Sequence, residues 1–183
     1  FVARRMLTGA IRGLWPRASG YSIAGFGYAT PYLSAFAGEA ERTIALMPAA
    51  QGVVNWPGEG PSATALADSD QLPLPNASID RVLIVHALET MTEPVDLLNE
   101  VWRVLTPGGR LIAVVPNRRG FWARRDSTPF GHGQPFSRGQ LEKMLRLSLF
   151  SPETWTEALY IPPTQRKFVL RAAIALERIG EKL

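Results

Sequence analysis

Two histidines, His86 and His132, are the side chains of this 183-residue chain that ordinarily exchange a proton near neutral pH. Either ring could accept a proton from a substrate hydroxyl or amine. Glu89, three residues beyond His86, could do the same, or it could cap or pair locally. His132 stands between Gly131 and Gly133, in a stretch that also holds Phe121, Trp122, Phe130 and Phe136. That setting makes it the candidate catalytic base, with an exposed loop histidine as the plainer alternative. Trp155 and Tyr160 extend the aromatic set, which could wall an apolar pocket or form an interface. The chain has no cysteine, which excludes disulfide frameworks, thiolate metal sites and cysteine nucleophiles. No carboxylates are spaced to complete a metal site with two histidines, so none is expected.

The formal net charge of +4 is unevenly spread. Residues 1–17 carry four arginines and no acid; residues 18–109 carry three basic and ten acidic groups; residues 110–146 carry eight basic and two acidic groups. Arg118, Arg119, Arg124 and Arg125 lie in that last stretch. They could meet phosphates, or they are a solvated loop balancing the acidic half. Asp126 beside Arg125 reads as a surface pair of little energetic weight.

These groups need a frame. With 46% apolar side chains, the chain has material for one core and reads as a single domain over 1–183. Its apolar runs fall far short of the roughly 18 residues that span a bilayer, so no membrane span and a soluble protein are expected. No convincing signal peptide is visible, which makes the cytoplasm the expected location, although a chain beginning at Phe1 need not carry its natural N-terminus.

Val2, Met6, Leu7, Ala10, Ile11 and Leu14 share one helical face within 1–17, and Pro16 stops that helix. Residues 21–27 predict a short strand entering a glycine turn. Thr30-Pro31 reads as cap and first turn of a helix to about residue 37. Strands are expected at 42–47, weakly at 62–67, and clearly at 80–86, where the apolar run is continuous. The spacing over 94–105 predicts a helix burying Val95, Leu98, Val101, Trp102 and Leu105. Pro107-Gly108-Gly109 is a tight turn before a buried strand at 110–115. A basic, aromatic insert follows at 117–136. Ser137 then caps a helix over 138–147, a strand-like stretch covers 154–161, and a last helix covers 166–182. Alternating strands and helices make an α/β fold with a doubly wound, mostly parallel sheet flanked by helices. Ligands of such sheets sit beyond the carboxyl ends of the strands, which gathers residues 25–28, Met47, Asp68, Ser69 and His86 around one crevice.

Four blocks carry a resemblance. They are Leu72-Pro-Leu-Pro-Asn-Ala-Ser-Ile-Asp80, Val85-His-Ala-Leu-Glu89, Glu100-Val-Trp-Arg-Val-Leu-Thr-Pro-Gly-Gly-Arg-Leu111 and Val115-Pro-Asn-Arg118. Together they are similar to the Rossmann-like class I S-adenosylmethionine-dependent methyltransferases, most closely the small-molecule, quinone-biosynthesis type. The match is good from about residue 66 to 150 and weaker from 20 to 50. The insert at 124–137 resembles bacterial members, on the alphaproteobacterial side.

The resemblance implies S-adenosylmethionine as cofactor and assigns positions to it. Gly25, Phe26 and Gly27 match the turn that lets backbone approach the methionine part. Asp68 and Ser69 match the acid that accepts from the exocyclic amine of adenine. His86 matches a position beside the cofactor. Three positions depart from the pattern: Ile23 where an acid precedes the turn, Ala29 where a third glycine stands, and Met47 where an acid holds the ribose hydroxyls. No carboxylate lies between Glu41 and Glu59 to replace the last. Met47 and Phe26 could instead pack on ribose and adenine.

Methyl transfer from a sulfonium is an in-line displacement served by positioning and desolvation, with a base needed only for a weakly acidic acceptor. The implied activity is methylation of a small apolar or anionic acceptor. A non-catalytic binding or regulatory relative, with the cofactor site decayed at Ile23, Ala29 and Met47, is the alternative. An RNA methyltransferase using the arginine pairs ranks last, because no asparagine-proline catalytic motif or appended RNA-binding domain is visible. The family's closing hairpin strand has no counterpart after 161, so an open sheet edge that a second copy could cover is expected, unless the chain is a fragment.

Overall fold

The computed structural model describes residues 2–49, 52–118 and 134–158. Its centre is a five-stranded sheet of β1 (Ser22–Gly27), β2 (Arg42–Pro48), β3 (Thr64–Ala67), β4 (Ile79–Val85) and β5 (Leu105–Val114), in the order β3-β2-β1-β4-β5. All four pairings are parallel. The strand order therefore reverses between β1 and β4, and the fold is the Rossmann-like α/β type expected from the sequence.

Side chains alternate across the sheet and build two cores. Ala24, Phe26, Leu46, Val82 and Ile84 face α3 (Pro94–Val104) and α4 (Arg138–Leu147). Ile23, Ala45, Met47, Leu83, Val85 and Ile112 face α1 (Val2–Leu14) and α2 (Thr30–Leu33). This period-two division explains why the inner strands read as unbroken apolar runs. Helix α1 buries Leu7 and Ile11 there, and Trp15 beyond it meets the Phe36 ring edge-on at 5.9 Å. Among the described residues no helix is long and apolar enough to cross a membrane.

Several expected elements are corrected. Helix α2 ends at Leu33 instead of about residue 37, and the chain continues in turns closed by Ala35 N–H to Tyr32 and Phe36 N–H to Leu33. Three-residue bonding lets Leu33 and Phe36, both 0% exposed, point into one core. Thr30 is the first helical residue, not the cap; Ala29 holds the cap position without a side-chain bond. On α3 the buried stripe is Leu97, Leu98, Val101 and Val104, and Trp102 is 53% exposed. The helix is rotated so that positions one, four and seven apart face inward, which leaves the tryptophan on the outer column. The turn at Pro107-Gly108-Gly109 is absorbed into β5 as a bulge: two steps along β4 (Ile79 to Arg81) are matched by five steps along β5 (Leu105 to Arg110), and Gly108 takes φ +79°. Strand β5 is the outer strand among the described residues, and only its Ile112 is buried. Residues 154–158 are irregular rather than strand; Trp155 packs singly against the core beneath the Arg138 guanidinium, 5.0 Å from its ring centre, and makes no ladder. Ser137 caps α4 as the sequence predicts, and the structure adds Gln140, whose side chain accepts the Ser137 amide to complete a capping box. The helix expected at 166–182 and the missing closing strand lie outside the described residues.

Two carboxylates tie loops to this frame. The Ala18 amide and then Arg12 hold the Glu39 carboxyl below its ordinary value of 4.5; Arg103 and then the Leu72 amide do the same for Glu100 against an opposing burial effect. A carboxyl lowered in the folded state stabilises the fold above its unfolded pKa and loses that contribution as pH falls through its folded value. We expect a urea midpoint that is level from pH 7 to about 5 and declines below that. The double variant E39Q/E100Q should flatten that acid limb; an unchanged limb would place the acid sensitivity elsewhere.

Candidate functional site

The reversal of strand order brings the carboxyl ends of β1 and β4 side by side, and both are shaped by unusual backbone. Gly27 ends β1 at φ +76° in register with Val85, and the Tyr28 amide donates to the Val85 carbonyl at 2.8 Å. A Cβ on Gly27 would lie 2.6 Å from that carbonyl oxygen and 2.9 Å from the Ala87 Cβ. A Cβ on Gly25 would meet the Ala29 Cβ at 2.6 Å and Leu33 at 2.7 Å. Both glycines are thus required by close packing: Gly25 for α2 against β1, Gly27 for β1 against β4. Phe26 between them is 1% exposed, so its ring belongs to the core and only its backbone reaches the turn. Tyr28 is 61% exposed at the rim.

Directly after β4, His86 adopts φ +50°, a conformation uncommon for a residue with a Cβ. Its Nδ1 lies 2.9 Å from Oε1 of Glu89, whose side chain is 3% exposed. The other carboxylate oxygen, Oε2, is buried without a hydrogen-bond partner among the described residues. Burying a carboxylate with one oxygen unmatched is costly, and such groups concentrate where a ligand or a proton is handled. By sequence Glu89 is a candidate base, with a local cap or pair as the plainer reading. The three-residue spacing from His86 is the one signal the sequence offers; the burial of the carboxylate leaves none.

The residues on either side of the segment 119–133 bond to one another, and one of them reaches Glu89. Arg118 N–H donates to Phe136, Phe136 N–H to Pro116, and Gln134 N–H to the Glu89 carbonyl at 2.8 Å. His132 itself, with Phe121, Trp122, Phe130, Arg119, Arg124 and Arg125, lies outside the described residues, as does Tyr160.

The other two strand ends differ in character. Met47, at the end of β2, is 7% exposed, and its Sδ accepts the Val54 amide at 3.1 Å. Residues 52–56 therefore lie across this strand end, held also by Trp56 Nε1 donating to Ser34 Oγ. Beyond β3, Asp68 is exposed and Ser69 half-buried, and the Gln71 amide closes a turn onto the Asp68 carbonyl.

Against an adenosyl sulfonium, this donor set fits at two places and lacks a third. An exposed carboxylate at Asp68 suits an exocyclic amine. The unmatched Oε2 of Glu89 suits a cationic group. At the end of β2, Met47 is buried beneath residues 52–56 with its sulfur engaged, and it offers no oxygen acceptor for ribose hydroxyls.

Comparisons with known proteins agree with this frame. Residues 24–113 match a family model described as a methyltransferase domain. A probable S-adenosylmethionine-dependent methyltransferase of Mycolicibacterium smegmatis is 34% identical over 85 residues, which is 45% of this chain and 33% of that protein. The ubiquinone/menaquinone biosynthesis C-methyltransferase UbiE of Laribacter hongkongensis is 40% identical over 50 residues, covering 27% and 20% respectively. The chain thus spans a third or less of the length of these curated relatives. A solved S-adenosylmethionine-dependent methyltransferase of Mesorhizobium loti shares the fold at TM-score 0.62 and 22% identity, over 93% of this chain and 92% of that one. With the matched segment lying on β1 to β5 and the strand order reversing at its glycine turn, the chain has a Rossmann-like fold and is similar, over just under half of its length, to the methyltransferase domain of S-adenosylmethionine-dependent methyltransferases.

Proposed function

We propose that the chain holds S-adenosylmethionine beyond the carboxyl ends of β1 to β4 and catalyses methyl transfer to a small apolar or anionic acceptor. The observation that carries this reading is the meeting of the Gly27 turn with the His86–Glu89 pair at the reversal of strand order. When bound, the cofactor supplies an electrophilic methyl group on a sulfonium. Asp68 accepts from the adenine amine, with Ser69 beside it. The backbone of residues 25–28 lies against the methionine part, and Met47 packs on the ribose. Glu89 fixes the His86 ring through Nδ1 and balances positive charge at this end of the crevice. His132 takes the acceptor's proton where the acceptor is weakly acidic. The buried surroundings of Glu89 limit water there, which favours a reaction that disperses charge.

Titration calorimetry with S-adenosylhomocysteine tests this directly. Saturable binding is expected; no heat at millimolar ligand would leave a non-catalytic scaffold. Removing the charged acceptor in D68A should weaken binding by roughly ten- to a hundredfold, the equivalent of about 1.5–3 kcal/mol for a charged hydrogen bond. Unchanged affinity in D68A would move the adenine away from β3.

A further inference from the structure

The loop that follows Asp68 and Ser69 is pinned to α3 by one arginine whose hydrogen-bonding capacity is fully used. Arg103 Nε donates to Glu100 Oε1 at 2.7 Å, and Nη2 donates to Glu100 Oε2 at 2.7 Å and to the Leu72 carbonyl at 3.0 Å. Nη1 donates to the Leu74 carbonyl at 3.0 Å and to Asn76 Oδ1 at 2.6 Å. A guanidinium has five N–H groups, and these contacts occupy all five. Glu100 Oε2 also accepts the Leu72 amide at 2.8 Å. An exposed pair three residues apart on a helix would ordinarily contribute little. This one instead bonds the backbone of a segment that has few donors of its own. Pro73 and Pro75 have no amide hydrogen, the Leu74 amide reaches only the Leu72 carbonyl, at 2.7 Å, and Arg103 supplies the donors to the Leu72 and Leu74 carbonyls from outside.

The geometry points to Glu100 and Arg103 as positioning residues for the adenine-reading carboxylate: together they fix the loop whose first turn sets Asp68. The mechanical link is short. The Gln71 amide closes onto the Asp68 carbonyl, and the next residue, Leu72, is anchored by Glu100 at its amide, by Arg103 at its carbonyl, and by a side chain only 4% exposed. Ala77 and Ser78 complete the attachment by donating to the Arg103 and Val104 carbonyls. Asp68 is thus held by β3 on one side and by the α3 clamp on the other. A lysine at 103 keeps the charge, but its three donors cannot serve these five acceptor atoms in one plane.

This role rests on the methyl-transfer reading, and the experiment separates the two. Affinities for S-adenosylhomocysteine and S-inosylhomocysteine, which replaces the exocyclic amine by a carbonyl, would be measured for wild type, R103K, E100Q and D68A. Wild type should prefer the adenosyl ligand by about tenfold. R103K and E100Q should lose that preference, as D68A does, and hydrogen exchange at the Leu72 amide should quicken in both. Equal weakening of both ligands with the preference intact would reduce the clamp to a purely structural element and overturn the proposal. So would wild-type preference retained in R103K and E100Q, or a wild type that binds both ligands equally. A wild type that binds neither ligand overturns the methyl-transfer reading and this role with it.

Discussion

Gly27→Ala is expected to lower the unfolding free energy by about 3 kcal/mol or more, a large share of the roughly 5–15 kcal/mol that holds an ordinary domain together. Two costs add. A residue with a Cβ at φ +76° loses about 1–2 kcal/mol from the clash with its own carbonyl. The new methyl would then lie 2.6 Å from the Val85 oxygen and 2.9 Å from the Ala87 Cβ, and forced overpacking adds about 1–3 kcal/mol. Retreat is blocked, because β1 is paired on both sides, with β2 and with β4. Gly20 supplies the control. It has φ +75°, and no atom lies within 4 Å of the point a Cβ would occupy, so Gly20→Ala should show the backbone cost alone. Urea denaturation of both variants gives the comparison. Equal losses would mean that the β1–β4 turn yields more easily than its contacts imply. If the cofactor lies against this turn as proposed, G27A should also lose binding of S-adenosylhomocysteine at temperatures where it remains folded.

The elements that position the site are legible where the signal is local. The unbroken apolar run ending at Val85 announces an inner strand, and Ser137 announces a helix start, because neighbouring residues determine both. Trp102 reads as buried because two helical stripes three and four residues apart are nearly interchangeable by count, and only packing against β4 and α4 chooses Leu97 and Val104 over it. The bulge at 106–109 is hidden for a related reason: a Pro-Gly-Gly turn and a Gly-containing bulge have the same composition, and the register with β4 decides between them. Within the site, the glycine turn can be read because a positive φ leaves a residue-type signature. The Arg103 clamp cannot, since its partners at 72, 74 and 76 lie 27 to 31 positions away. Nor can the roof over Met47, because an amide donating to a thioether leaves no mark in composition.

That roof makes Met47→Glu the sharper test of where the ribose lies. Glutamate is close to methionine in length, so a carboxylate would sit near the present sulfur, at the end of the strand beside β1. Without ligand it should destabilise the fold by about 1–3 kcal/mol, because the position is 7% exposed and an ionised group there loses water. The loss stops short of a fully buried charge, because the Val54 amide already donates to the sulfur and would donate more strongly to an oxygen. With ligand the sign reverses. Ribose hydroxyls would gain a charged acceptor, worth about 1.5–3 kcal/mol, so affinity for S-adenosylhomocysteine should rise about tenfold or more. The apo protein should therefore melt lower than wild type while its ligand-induced rise in Tm is larger. M47Q, neutral and of the same length, should show a smaller loss of apo Tm and a smaller gain in ligand-induced Tm. The two readouts move oppositely only when the ribose lies against β2; a lower melting point with no gain in affinity would put the sugar elsewhere along the crevice and leave Met47 as core.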